Sequence, residues 1–273
     1  MVSLRRSSPD RVAFTVPVKV DAGDGATTGS QRDLLEARPG GFAEWCGDRL
    51  HAFPPLVAAL IVALIGWVVL AASIIGLGVL LVEVLLPGRL GSWDLSVVNR
   101  FVAERTDSLT DASWVGSGFA ETVVVVTAGL ALTGFLLVKR AWPAAGLVVL
   151  SLVLEITAYA AVTTFVHRQR PFVEQLEQRR QGASYPSGHT AAAVVLYVLI
   201  AIVVTLYVKN PVARRVAWAA VVLVPIVVAL SRIYRGMHHP TDAVAGVLMG
   251  TGCVVVALLA VRTASAVAAD RRA

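Results

Sequence analysis

Three short stretches of the 273-residue chain carry residue types that could hold and move a phosphoryl group. In His167-Arg168-Gln169-Arg170-Pro171, guanidinium groups offer paired donors that match phosphate oxygens. The same arginines would also serve as ordinary interfacial anchors of a helix end. In Tyr185-Pro186-Ser187-Gly188-His189-Thr190, Ser187 or Gly188 falls at the start of an apolar run. Free backbone N–H groups and the positive end of a helix dipole gather at such a start, and glycine admits close approach. His189 would then stand in the first turn, where an imidazole acts as general acid or base near neutral pH; a plain Ser or Gly cap beside an interfacial histidine is the competing reading. In the third stretch, Ser231-Arg232 is followed by His238-His239-Pro240-Thr241-Asp242. Pro240 marks a helix start, and Asp242 lies in its first turn. Its spacing from His238 lets the carboxylate accept an imidazole N–H and fix the ring's tautomer, as an orienting acid does for a nucleophile or base. The alternative is that His238 and Asp242 only cap the helix.

The elements that must position these residues are apolar. With 56% hydrophobic and 15% charged residues and a mean hydropathy of +0.72, the chain is too apolar for an ordinary soluble domain. Apolar runs occupy 53–86, 123–138, 141–166, 191–208, 216–230 and 243–261. A spanning helix needs about 20 residues, so the first run is longer than needed and the second and fifth must extend into flanking polar residues. Helices satisfy their backbone within one segment, which lipid demands. The expected fold is therefore all-α, an integral membrane bundle of six transmembrane helices. Segment 87–116 places Leu95, Val98, Phe101 and Val102 at helical spacing with Asp94, Arg100 and Glu104 between them, as an amphipathic helix on a membrane interface would.

Charge sets the expected orientation. Fifteen Lys and Arg residues fall in 1–52, 139–142, 209–215 and 262–273, against nine in 87–116, 167–188 and 232–239. Both termini are expected in the cytoplasm, and the three motifs share the opposite face. The net charge of +6 is explained by these flanking residues, not by nucleic acid. Residues 1–52 lack periodicity and read as a disordered cytoplasmic tail, 53–262 as the membrane domain and 263–273 as a short cytoplasmic tail. Cys46 and Cys253 indicate no disulfide framework. Gly76 and Gly78 suggest close helix packing, not a nucleotide loop. Glu155, ionisable within an apolar run, is expected to pair with an arginine or to remain protonated between helices. His167 and His239 are taken as interfacial or supporting.

Taken together, the motifs resemble the type 2 phosphatidic acid phosphatase superfamily, whose pattern is Lys, six residues, Arg-Pro; then Pro-Ser-Gly-His; then Ser-Arg, five residues, His, three residues, Asp. The second and third parts match completely, and the resemblance covers about residues 95–262. In the first part Thr163 stands where the family has lysine, which leaves Arg168, or another arginine of the 168–180 loop, as a candidate to supply that charge. The resemblance implies that His238 attacks phosphorus, that Asp242 orients it, and that His189 protonates the leaving oxygen and later activates water. It further implies that Arg170, Ser187, Gly188 and Arg232 hold the phosphoryl oxygens, with no metal or other cofactor. Consistent with that, the expected outer segments offer no carboxylate cluster suited to magnesium. Vanadium haloperoxidases belong to the same resemblance but are soluble, and six spans argue against their activity. The expected function is hydrolysis of a lipid monophosphate or diphosphate through a phosphohistidine intermediate. Polyprenyl diphosphate, phosphatidic acid and phosphatidylglycerophosphate all suit the motifs, and the sequence leaves the oligomeric state open. A phosphotransferase acting on a lipid or sugar hydroxyl, and a non-catalytic lipid-binding protein, are the alternatives.

Overall fold

A computed structural model describes residues 34–177 and 182–271. Among them the helices are α1 (Phe42–Leu50), α2 (Pro55–Leu80), α3 (Arg89–Ala103), α4 (Asp107–Gly118), α5 (Thr122–Val138), α6 (Trp142–Phe165), α7 (Gly188–Tyr207), α8 (Pro211–Tyr234) and α9 (Pro240–Asp270), and no strand occurs among the described residues. After Leu80 the first long helix widens through Leu81–Leu85, where the Leu86 N–H reaches back five residues to the Leu81 carbonyl. Proline sits in the first turn of α2, α6, α8 and α9, where its missing N–H costs no hydrogen bond.

Among the described residues, six segments are long and apolar enough to cross a membrane: Pro55–Leu85, Asp107–Val138, Trp142–Phe165, Gly188–Tyr207, Pro211–Tyr234 and Pro240–Asp270. Large side chains such as Leu64, Leu130, Val222 and Val255 stand exposed on them, a surface that water would penalise and lipid accepts. The chain is an all-α, multi-pass membrane protein. The second span is longer than its apolar run because α4 leads into α5 through only Phe119–Glu121, so residues 107–118 belong to the span and not to an interface helix. The amphipathic element of 87–116 is therefore α3 alone. It buries Asp94 and Val98, four residues apart on one face, while Leu95 is exposed.

Helix α7 is the centre of the bundle, with 61% of its apolar window buried against 17% for Asp107–Val138. Small residues let α9 approach it closely: a Cβ on Gly246 would lie 2.5 Å from the Ser187 carbonyl oxygen, and one on Gly250 would lie 2.6 Å from that of Ala191. Of the two glycines noted on α2, Gly78 packs closely, since a Cβ there would come 2.6 Å from the Tyr185 ring, whereas Gly76 meets nothing within 4 Å.

The expected tails are shorter than the sequence suggested. Residues 1–33 and 272–273 lie outside the described residues, but Phe42–Leu50 is helical rather than disordered, because Ala43, Cys46 and Gly47 bury against the end of α9. Helix α9 in turn continues to Asp270 through the alanine-rich end of the chain. Glu155 is buried beside Cys253, and no ion pair to it occurs among the described residues.

Candidate active site

The three motifs meet at one end of the bundle, where the segment after α6, the start of α7 and the turn from α8 to α9 converge. His238 is buried in that turn. Its Nδ1 lies 2.8 Å from the Ser184 carbonyl oxygen. A carbonyl only accepts, so Nδ1 carries the proton and Nε2 keeps its lone pair, the arrangement a nucleophilic imidazole needs. Asp242 Oδ2 lies 3.8 Å from Nδ1. The expected direct hydrogen bond between the two is thus replaced by the Ser184 carbonyl, with Asp242 close enough to stabilise positive charge on the ring. Burial pushes the His238 pKa below its ordinary value; Asp242 opposes this, and Arg232 and Arg170 add to it.

Asp242 is fully buried, and both its oxygens accept hydrogen bonds. Its Oδ2 accepts from Ser184 Oγ at 2.5 Å and from the His239 N–H at 2.8 Å, the latter a capping contact at the start of α9. Its Oδ1 accepts from Arg168 Nη1 at 2.5 Å. His239 Nδ1 lies 3.3 Å from Oδ2, which makes this histidine a support of Asp242.

Arg168 is therefore not turned outward to a ligand. Its guanidinium bridges Asp242 and Asp94, with Thr241 Oγ1 2.6 Å from Nη1. Arg179 and Arg180, further along that loop, lie outside the described residues. Thr163, at the lysine position, returns its hydroxyl to the Tyr159 carbonyl at 2.9 Å.

Ser187 immediately precedes α7 and is buried, its N–H donating to the Asp242 carbonyl at 2.9 Å. Its hydroxyl accepts from Thr190 at 2.9 Å and does not cap the helix, so no N-cap side chain covers the N–H groups at Gly188 and beyond. His189 follows in the first turn, with Nε2 3.3 Å from Glu121 Oε2. It is near enough to His238 for the two to interact electrostatically.

Arg170 Nη1 donates to the Met237 carbonyl at 2.6 Å, just before His238. Arg232 is buried at the end of α8, and its Nη1 reaches both oxygens of Glu177, at 2.7 and 2.9 Å, and Ser117 Oγ at 2.9 Å. Arg235 Nε holds the same carboxylate at 2.7 Å. Burial alone would raise the Glu177 pKa, but Arg232 and Arg235 outweigh it and hold the carboxyl below its usual range.

The structure thus gathers His189, His238, Asp242, Arg170, Ser187, Gly188 and Arg232, while His167 is exposed. Sequence reasoning missed Asp94, Glu121, Glu177 and Ser184. All four sit outside the three motifs, and Ser184 meets His238 through a carbonyl, which no residue type announces.

Residues 144–266, which contain all three motifs, match the PAP2 superfamily. The resemblance read from the motifs thus has its counterpart in the family match over that segment of the chain. The crystal structure of the first transmembrane PAP2 type phosphatidylglycerolphosphate phosphatase from Bacillus subtilis superposes with a TM-score of 0.57 at 18% identity, over 72% of this chain and 92% of the other. The two share a fold. Aquifex aeolicus LpxE aligns over 60% of this chain and 93% of its own, at 21% identity and a TM-score of 0.48. No curated protein matches the sequence.

Proposed function

We propose that the protein is a membrane lipid phosphatase that hydrolyses a lipid monophosphate or diphosphate through a phosphohistidine. The observation that carries this reading is the Nδ1–H bond from His238 to the Ser184 carbonyl, which fixes the lone pair on Nε2. In the first step Nε2 attacks phosphorus, the bond from phosphorus to the leaving oxygen breaks, and protonated His189 gives that oxygen its proton. The imidazole becomes cationic as it is phosphorylated, and Asp242 at 3.8 Å balances that charge. In the second step water attacks phosphorus, His189 takes its proton, the P–N bond breaks, and phosphate leaves with His238 neutral again. Arg170, Arg232, the Gly188 N–H and Ser187 line the place where phosphoryl oxygens would gather.

The lipid enters from the bilayer, with the site on the extracytoplasmic face and both termini in the cytoplasm; the charge distribution along the chain supports that orientation. Phosphatidylglycerophosphate, phosphatidic acid and a polyprenyl diphosphate are the substrates to compare. The test is phosphate release by the purified protein in detergent, with chelator present, beside a His238→Ala variant. Release by the wild type alone supports the proposal. Equal release by both removes His238 as nucleophile, and no free phosphate but a phosphorylated alcohol when an alcohol is supplied favours a phosphotransferase.

A further inference from the structure

Asp94 belongs to none of the three motifs, and its helix α3 precedes the segment that matches the family. It is nevertheless fully buried, with both oxygens committed to the site's foundations. Oδ1 accepts from the Thr241 N–H at 3.1 Å, beside Asp242 in the first turn of α9. Oδ2 accepts from Thr241 Oγ1 at 2.6 Å and from the Arg168 guanidinium. The other side of that guanidinium holds Asp242 Oδ1. The arrangement is a buried row of charges, minus, plus, minus, ending on the residue that faces the nucleophile.

A lone Arg168 against Asp242 would cancel the charge that the phosphorylated, cationic His238 requires. A second carboxylate behind the arginine offsets that cancellation and leaves one net negative charge beside the ring. From this, and resting on the phosphatase reading above, we propose that Asp94 is a positioning residue for phosphoryl transfer: through Arg168 and Thr241 it sets both the orientation of Asp242 and the net negative charge presented to His238. His238 is faced by Asp242 on its own segment, by Arg170 and Ser184 from the loop after α6, by Arg232 from α8 and by His189 from α7. Asp94 therefore acts at one remove from the reacting atoms.

The experiment follows two quantities in the purified protein: the acid limb of kcat/KM against pH, and the titration of His238 by 15N NMR of histidine-labelled protein, assigned by the signal lost in His238→Asn. Asp94→Asn leaves Arg168 to neutralise Asp242. It should move both the limb and the titration to lower pH by about one unit, with kcat at neutral pH down about tenfold. Asp94→Glu should restore most of the shift. The double variant Asp94→Asn with Arg168→Gln again leaves one net negative charge, so its His238 titration should return towards the wild-type position. A brace without electrostatic effect predicts the opposite pattern, with lower thermal stability, an unmoved titration and a double variant no better than the single; that pattern overturns the proposal. If Asp94→Asn does not fold, the double variant decides, because a downward shift there also overturns it. Absence of phosphate release by the wild type would sink the lipid phosphatase reading alone, since the titration still reports on Asp94.

Discussion

The proposed nucleophile, His238, is tuned by two opposing influences. Burial makes protonation of His238 harder, while Asp242 favours the cation once it forms. Because the first wins in the resting protein, His238 stays neutral to lower pH than free imidazole, whose pKa is about 6.5. The acid limb of kcat/KM is expected below that value, and a limb at or above it would contradict the burial argument. The same depression carries a stability cost: the unfolded chain takes up this proton first, so unfolding becomes easier as pH falls below about 6.5. Arg168 has a sharper role. Replacing it by alanine strands Asp94 and Asp242 as unpaired buried carboxylates, and loss of about 3–5 kcal/mol of stability is expected, read as a fall in the thermal midpoint. Glu177 is the removable member of the set. It occupies the Arg232 guanidinium that a phosphate oxygen would use, and it remains ionised well into mild acid because its pKa is held low. Glu177→Gln is expected to strengthen inhibition by inorganic phosphate, measured as a lower inhibition constant; an unchanged constant would mean that phosphate does not displace this carboxylate.

At the scale of helices, the site depends on how closely α9 lies on α7. The motif at the start of α7 and Asp242 on α9 are held together by the Ser187 N–H bond to the Asp242 carbonyl, which the glycines at 246 and 250 permit. Gly250→Ala places a methyl group 2.6 Å from a carbonyl oxygen and is expected to cost about 1–3 kcal/mol as the helices separate, with activity falling alongside thermal stability. The long apolar runs of the six spans were legible in the sequence, since hydropathy and length alone decide them. So were His189, His238 and Asp242, whose types and spacing carry chemistry. The helical end of the first run's approach, α1, was not legible, because nine residues of mean polarity become a helix only through burial against α9. Asp94 was visible as a polar position on an amphipathic helix, but its inward face follows from Arg168, 74 residues away in the chain. Pairings at that range leave no local pattern.

For the whole molecule, orientation is the quantity to measure. Both native cysteines are buried, so a cysteine introduced at exposed Gln169 can be labelled with little background. A membrane-impermeant maleimide is expected to label Gln169→Cys in intact cells and Asp270→Cys only after permeabilisation; the reverse pattern would invert the proposed topology. The site end of the bundle is also stitched to the earlier helices. Tyr185 passes its hydroxyl to the Ile74 carbonyl on α2, while Asp94 on α3 holds the first turn of α9. Ribosomes deliver these segments in order, and the turn bearing His238 and Asp242 comes next to last. Until that turn is made, the arginines proposed to grip phosphate have no nucleophile beside them, so a chain stalled or truncated before it is expected to be chemically silent towards the lipid phosphates around it.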